Sequence, residues 1–207
     1  MTTSTPDRRT LIVDRAIDLI AAQGLRALTH RALDTALELP AGSTSYYFRT
    51  KRALIEAIVD RIATRSRTDF AAGQASLVPS AEVSATRAGR DPDRLATGIA
   101  GWLDHLLAQR RNHLIARHAL IVDVLGDAEL HAKLAGCLFS HQHATALFET
   151  LGAADPATAA ADFIAVLEGL VFDRFAGARI ALAPGSSASV RQLARILAIQ
   201  LRNAAQS

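Results

Sequence analysis

The stretch from Thr29 to Lys51, THRALDTALELPAGSTSYYFRTK, restricts this chain more than any other part of it, because it reads as two short helices joined by a tight turn and leading into a third. Thr29 is a good N-cap, and Leu28 before it can pair with Leu33 as a hydrophobic staple, which fixes the start of the first helix. That helix should end near Leu37. Pro40 then suits the first turn of the next, where its missing N–H costs nothing. About three residues between two helices is helix-turn-helix spacing.

The second helix, Pro40 to Phe48, is predicted to turn Leu39, Thr44 and Phe48 inward and to leave Ala41, Gly42, Ser43, Ser45, Tyr46 and Tyr47 outside. Small side chains let a helix approach another surface closely. Serines reach base edges or phosphates, tyrosine hydroxyls donate to phosphate oxygens, and Ala41 can touch a thymine methyl, so the face fits a DNA major groove. Thr50 can cap a third helix whose first turn carries Lys51 and Arg52, cations set against the helix dipole but well placed for phosphates.

These residues resemble a known family. Gly42-Ser43-Thr44-Ser45-Tyr46-Tyr47-Phe48, followed by Lys51-Arg52-Ala53-Leu54 and preceded by an amphipathic helix ending at Gly24, is similar to the DNA-binding head of the tetracycline-repressor (TetR) family, over about the first 65 residues. Carried over position by position, the resemblance implies phosphate contacts at Thr29, Tyr46, Tyr47 and Lys51. It implies base-facing positions at Arg31, Ala41, Gly42, Ser43 and Ser45. The family usually has glycine at the turn between the helices, where this chain has Glu38; if that residue is left-handed, its side chain adds roughly 1 kcal/mol of strain.

The rest of the chain reads as helix. Alanine and leucine dominate its long segments, and no strand alternation, tandem repeat or uncharged apolar run of about 18 residues stands out. Residues 1–7 read as a tail, and the first helix carries Ile12, Ala16, Ile17, Leu19 and Ile20 as one stripe. Arg8 and Arg9 at its start are either solvated surface or contacts to DNA. The helix after Thr50 should run about 20 residues, and residues 72–92 read either as a mobile loop throughout or as a loop that is part helical. Asp93–Gln109 is amphipathic, and Asn112–Leu125 is apolar almost all round and should be centrally buried. One helix is predicted from Asp127 to about Leu151, with His141 in line with its core positions. Two more helices follow, from Pro156 and from beyond Ser186, with apolar residues on more than one face.

The expected architecture is therefore all-α, about nine helices, with a helix-turn-helix domain at 1–65 and a ligand-binding and dimerisation domain at 66–207. The resemblance implies a homodimer through a four-helix bundle of the last two helices. Residues 1–66 hold ten Arg and Lys against seven Asp and Glu, while the remainder holds thirteen of each, so all the excess positive charge lies in the head. The lone Cys137 excludes an internal disulfide and fits a reducing compartment, and with an N-terminus that leads into an amphipathic helix the expectation is a cytoplasmic protein without a membrane span.

The implied function is a ligand-responsive, sequence-specific transcriptional regulator binding a palindromic operator in double-stranded DNA, most often a repressor in this family. A helical adaptor whose head no longer reads DNA is the alternative. No phosphate loop, nucleophile elbow or zinc-like Cys/His spacing supports an enzyme, a metal or a cofactor. A small apolar or aromatic effector is expected among Trp102, Leu106, Arg117, His118, Ile121, Leu138, His141 and Phe163. Four of these also have a structural reading: Trp102 and Phe163 as core, His141 as a satisfied core histidine, Arg117 reaching solvent or paired with Asp104 or Asp123.

Overall fold

A computed structural model describes residues 7–77 and 91–204. They form α1 (Arg8–Gln23), α2 (His30–Ala36), α3 (Ser43–Tyr47), α4 (Lys51–Leu77), α5 (Pro92–Gln109), α6 (Arg111–Asp123), α7 (Ala128–Ala135), α8 (His141–Leu151), α9 (Pro156–Ala176) and α10 (Ser187–Ala204), with a 3-10 turn at Leu25–Ala27 and no strand among the described residues. The all-α class holds, with ten helices among the described residues where about nine were expected. The tail through Pro6 and the later part of the predicted loop, residues 78–90, lie outside the described residues, whereas residues 72–77 of that loop continue α4.

The extra helix comes from a break in the segment predicted as one helix from Asp127 to Leu151. Asp127 does cap its start, accepting from the Leu130 amide, but Gly136 ends α7 and the Ser140 hydroxyl accepts from the His143 amide at 3.3 Å to start α8. Cys137, Leu138 and Phe139 are buried across the break, so the apolar pattern runs on where the backbone stops being helical. His141 consequently opens α8 and is exposed, not aligned with core positions. The expectation for Asn112–Leu125 also fails in part: Leu114, Ala116, Arg117 and Leu120 are buried, but Val122 and Leu125 face solvent. Apolar residues on every face of a helix do not oblige every face to be covered.

By contacts the chain divides into two compact units, one of Met1–Ser66 with Asn112–Cys137, the other of Arg67–Arg111 with Leu138–Ser207. In the first, Ile12, Ile17 and Ile20 of α1 meet Leu33, Phe48, Leu54, Ile58 and Ile62, joined by Leu120, Leu130 and Leu134 of the later segment. Truncating any of the fully buried Ile or Leu side chains to alanine would cost about 2–5 kcal/mol. Arg61 grips Asp14 with two bonds of 2.8 Å, and Asn112 donates to Asp18 at 2.8 Å.

In the second unit α5 lies along α10 and α8 along α9. Asp155 caps α9 with Pro156 in its first turn, as the sequence implies. A buried polar chain ties the elements: Arg174 donates to the Leu182 carbonyl at 2.8 Å and to Ser189, Ser189 donates to Asp104, and Asp104 also accepts from the Gly185 amide at 2.7 Å. The sequence pattern puts Arg174 among inward positions, and this chain explains how a guanidinium is tolerated there.

Candidate nucleic-acid interface

Two short helices need outside help to stay folded, since a single turn or two gains too few hydrogen bonds to offset its ordering. Thr29 supplies part of it at α2, where its hydroxyl accepts from the Ala32 amide at 3.1 Å. The turn that follows contains Glu38 at φ 55°, the one non-glycine residue with positive φ among those described. Glu38 is therefore left-handed, with the strain its side chain implies there.

Helix α3 is fixed from elsewhere in the chain. Asp34 of α2, 4% exposed, accepts from the Gly42 amide at 2.8 Å, the Thr44 amide at 2.7 Å and the Thr44 hydroxyl at 2.6 Å. Burial pushes its pKa up, but the Thr44 hydroxyl and amide, the Gly42 amide and the nearby His30 together hold it below the ordinary carboxylate value. At the other end Arg9 of α1 donates to the Tyr47 carbonyl at 2.9 Å. The His30 Nε2 lies 2.8 Å from the Phe48 carbonyl, and because a carbonyl only accepts, that nitrogen carries the proton.

Held this way, α3 is shorter than the predicted Pro40–Phe48 helix, since Pro40 and Ala41 lie in the turn before it and Gly42 is its N-cap; Thr44 and Phe48 turn inward, as the sequence predicts, and Ala41, Gly42 and Ser45 are exposed with Tyr46 at 80%. Ser43 and Tyr47 are half-buried; Thr29, Arg31 and Lys51 are exposed. The Tyr46 and Tyr47 rings meet edge to face at 5.3 Å. Both serine hydroxyls donate back along the helix, Ser43 to the Pro40 carbonyl at 2.6 Å and Ser45 to the Gly42 carbonyl at 2.8 Å. Thr50 caps α4 through the Ala53 amide at 3.1 Å. Of the two cations in its first turn, Arg52 is engaged by Asp127, which raises the guanidinium pKa and lowers that of the carboxyl, whereas Lys51 stands exposed.

Of the eight positions expected around an effector, three belong to the first unit and five to the second. Those in the first unit are Arg117, His118 and Ile121. There Arg117, 2% exposed, donates to the Leu134 carbonyl at 2.9 Å and the Ala135 carbonyl at 3.4 Å, at the C-terminal end of α7 where the helix dipole favours a cation. His118 Nδ1 bonds the Leu114 carbonyl at 2.9 Å, and Ile121 packs on the hydrophobic core. In the second unit Leu138 and Phe163 are core, Phe163 edge-on to Phe148 at 5.5 Å, and His141 is exposed.

Trp102 and Leu106 do meet at a cavity. It has a volume of about 560 Å³ between α4 and α5, lined by Asp69, Ala72, Gly73, Thr97, Gly98, Gly101, Trp102, His105, Leu106, Gln109 and Arg110. The Trp102 indole lies across Gly73 so closely that a Cβ there would sit 2.0 Å from Nε1. Phe70 and Phe139 stand edge-on to the indole at 5.7 and 6.1 Å, and Arg110 closes one end by gripping Asp69 at 2.6 and 3.0 Å.

Sequence reasoning missed Asp34, His30 and the structural use of Arg9. The signal for Asp34 was present: a carboxylate next to the buried Leu33, ten residues ahead of an inward threonine. Gly73 carried none, since a glycine in an Ala- and Ser-rich stretch reads as a loop residue.

Compared with known families, residues 12–58 match bacterial regulatory proteins of the tetR family, and residues 90–198 match the tetracyclin repressor-like C-terminal domain. No curated protein matches the sequence. Among solved structures the chain is similar to a member of the TetR family from Streptomyces coelicolor A3, at 24% identity over 93% of this chain and 98% of that one, with a TM-score of 0.62. It is similar to a bacterial regulatory protein in the tetR family from Rhodococcus RHA1, at 18% identity over 97% and 98% of the two chains, TM-score 0.67. It is also similar to the multidrug binding protein EbrR complexed with malachite green, at 22% identity over 94% and 98%, TM-score 0.62. At such identities the structural likeness speaks for the fold alone.

Proposed function

The chain belongs to the TetR family of bacterial regulatory proteins, transcription factors rather than enzymes, and from that premise we propose that it is a homodimeric repressor released from a palindromic operator by a small aromatic effector. The observation that carries this is the surface made by α3 and the turn before it: Tyr46 at 80% exposure and exposed Ser45 on the helix, exposed Ala41 and Gly42 just ahead of it, with Asp34 holding both in place. Small side chains around a protruding tyrosine let this surface approach a duplex closely while the hydroxyl reaches a phosphate.

In this reading Arg31, Ala41, Gly42, Ser43 and Ser45 face base edges, and Thr29, Tyr46, Tyr47 and Lys51 hold phosphates. One head touches too little DNA for specificity, so two heads bind half-sites about 34–36 Å apart. The last two helices supply the dimer contact; Phe172 on α9 and Ile199 on α10 are exposed, which supports it. Residues 1–65 then act as the DNA-binding domain and the remainder as the ligand-binding and dimerisation domain, in the cytoplasm. No helix among the described residues is long and apolar enough to cross a membrane.

The effector is best received by the cavity at Trp102, which is of drug-like size and offers an indole and the polar Thr97 and His105. The aromatic dye held by the multidrug binding relative supports that chemistry. An effector binding one of two head spacings better lowers operator affinity by its differential binding energy, typically about 1–3 kcal/mol. Duplexes selected by the protein from a random pool test the reading. Affinity should fall steeply and log-linearly with salt; a protein that selects nothing and binds no duplex at low salt would instead be the adaptor whose head has lost DNA.

A further inference from the structure

We propose that Arg9 is a positioning residue for the base-reading helix and makes no contact of its own to the DNA backbone, an inference that rests on α3 being the DNA-facing helix. An arginine in the first turn of the first helix, in a head that holds all the excess positive charge, reads on sequence alone as surface or as a phosphate ligand. The structure gives it other work. Its Nη1 donates to the Tyr47 carbonyl at 2.9 Å, and its guanidinium carbon lies 4.5 Å from the centre of the Phe48 ring.

Those two contacts fall where α3 has least support of its own. The helix has five residues and ends at Tyr47, so its last carbonyls have no helical partner. Asp34 secures the N-terminal end, and His30 takes the Phe48 carbonyl at 2.8 Å. Arg9 completes the set by taking the Tyr47 carbonyl while it lies over Phe48, the 1%-exposed ring that roots α3 in the core. A planar guanidinium suits both contacts, since its edge can donate while its carbon lies over the ring, whereas a strongly hydrated ammonium, a point charge on a flexible stem, matches the pair less well. Nη1 and the side of the guanidinium over Phe48 are committed to these partners, although Arg9 itself is exposed. Held as it is, it fixes the peptide that carries Tyr47, and through it the direction in which Tyr46 and Ser45 leave the surface.

The two roles leave different marks on DNA binding. A phosphate ligand adds affinity for every sequence and about one unit to the salt slope, whereas a positioning residue adds affinity for the right sequence only. The test measures binding of the full chain, wild type and Arg9→Ala and Arg9→Lys, to a selected duplex and to a scrambled one across a salt series, with thermal unfolding of each variant alongside.

The expected result for Arg9→Ala is a selected-to-scrambled affinity ratio lower by up to about tenfold, the worth of one good hydrogen bond. The salt slope and the scrambled affinity should stay as in the wild type, and Arg9→Lys should fail to restore the ratio despite keeping the charge. Equal weakening on both duplexes with a slope about 0.9 shallower, restored by lysine, would overturn the proposal. So would an unchanged ratio in both variants. If the wild-type chain itself bound neither duplex, the regulator reading would fall first and the role of Arg9 with it.

Discussion

Asp34 and Thr44, ten residues apart, form a closed pair in which one carboxylate oxygen accepts both the amide, at 2.7 Å, and the hydroxyl, at 2.6 Å, of the same threonine. With the Gly42 amide on its other oxygen, Asp34 does for α3 what an N-cap does for an ordinary helix, but from the neighbouring helix. The angle between α2 and α3 is thereby held by a buried polar contact as well as by apolar packing.

Asp34→Ala leaves two amides and a buried hydroxyl without an acceptor, and should destabilise the first unit by about 1–3 kcal/mol. Urea unfolding followed by helix content measures it. Asp34→Asn, which keeps an oxygen, should lose less. A loss below a few tenths of a kcal/mol would mean that water satisfies the same groups equally well.

The same carboxylate makes the head acid-sensitive, with a definite sign. Its folded pKa lies below the ordinary value, so the stability it contributes is fully present above the unfolded pKa and disappears as pH falls through the folded one. Stability of the wild type should therefore fall on acidification more steeply than that of Asp34→Asn. Parallel stability-versus-pH curves for the two proteins would contradict this.

Glu38 sits at φ 55°, a conformation that costs a side chain about 1 kcal/mol and glycine almost nothing. Glu38→Gly should raise the urea midpoint without changing the slope, by an amount corresponding to about 0.5 kcal/mol at most, once the greater freedom of glycine in the unfolded chain is counted. A lower midpoint would show that the Glu38 side chain makes contacts that outweigh its strain.

Gly73→Ala places a methyl group 2.0 Å from the Trp102 Nε1, on the backbone of a helix that cannot easily move aside. The indole should be displaced, at a cost of about 1–3 kcal/mol. Trp102 is the chain's one tryptophan, so its emission maximum and anisotropy report the displacement directly. Unchanged emission would mean that the indole does not rest on Gly73 in solution.

An aromatic effector seated in the cavity at Trp102 should quench the same emission, and should lower operator affinity over the same concentration range. A triphenylmethane dye of the malachite green type is a suitable probe. Quenching that saturates without any change in DNA affinity would separate the cavity from regulation.

Much of the head was legible beforehand. Thr29 as a cap, Thr44 and Phe48 inward, Tyr46 outward and Thr50 capping α4 all follow from short-range rules of spacing and capping, and the structure contains each. The later helices were readable as elements but not as partners. His141 shows why: an apolar run through Cys137, Leu138 and Phe139 looks the same whether it lies on a helix or in a buried connection, and only Ser140 marks the restart.

The sequence by itself determined the all-α class, the helix-turn-helix and its outward face, because these depend on residues within a few positions of one another. Tertiary structure alone decided that Asp34 and Arg9 hold the two ends of α3, that Arg117 caps α7, and that Trp102 seats on Gly73. Those contacts join residues from eight to thirty-eight positions apart. Which donor finds which acceptor over such spans is set by how the helices pack, and periodicity along the chain carries no record of that.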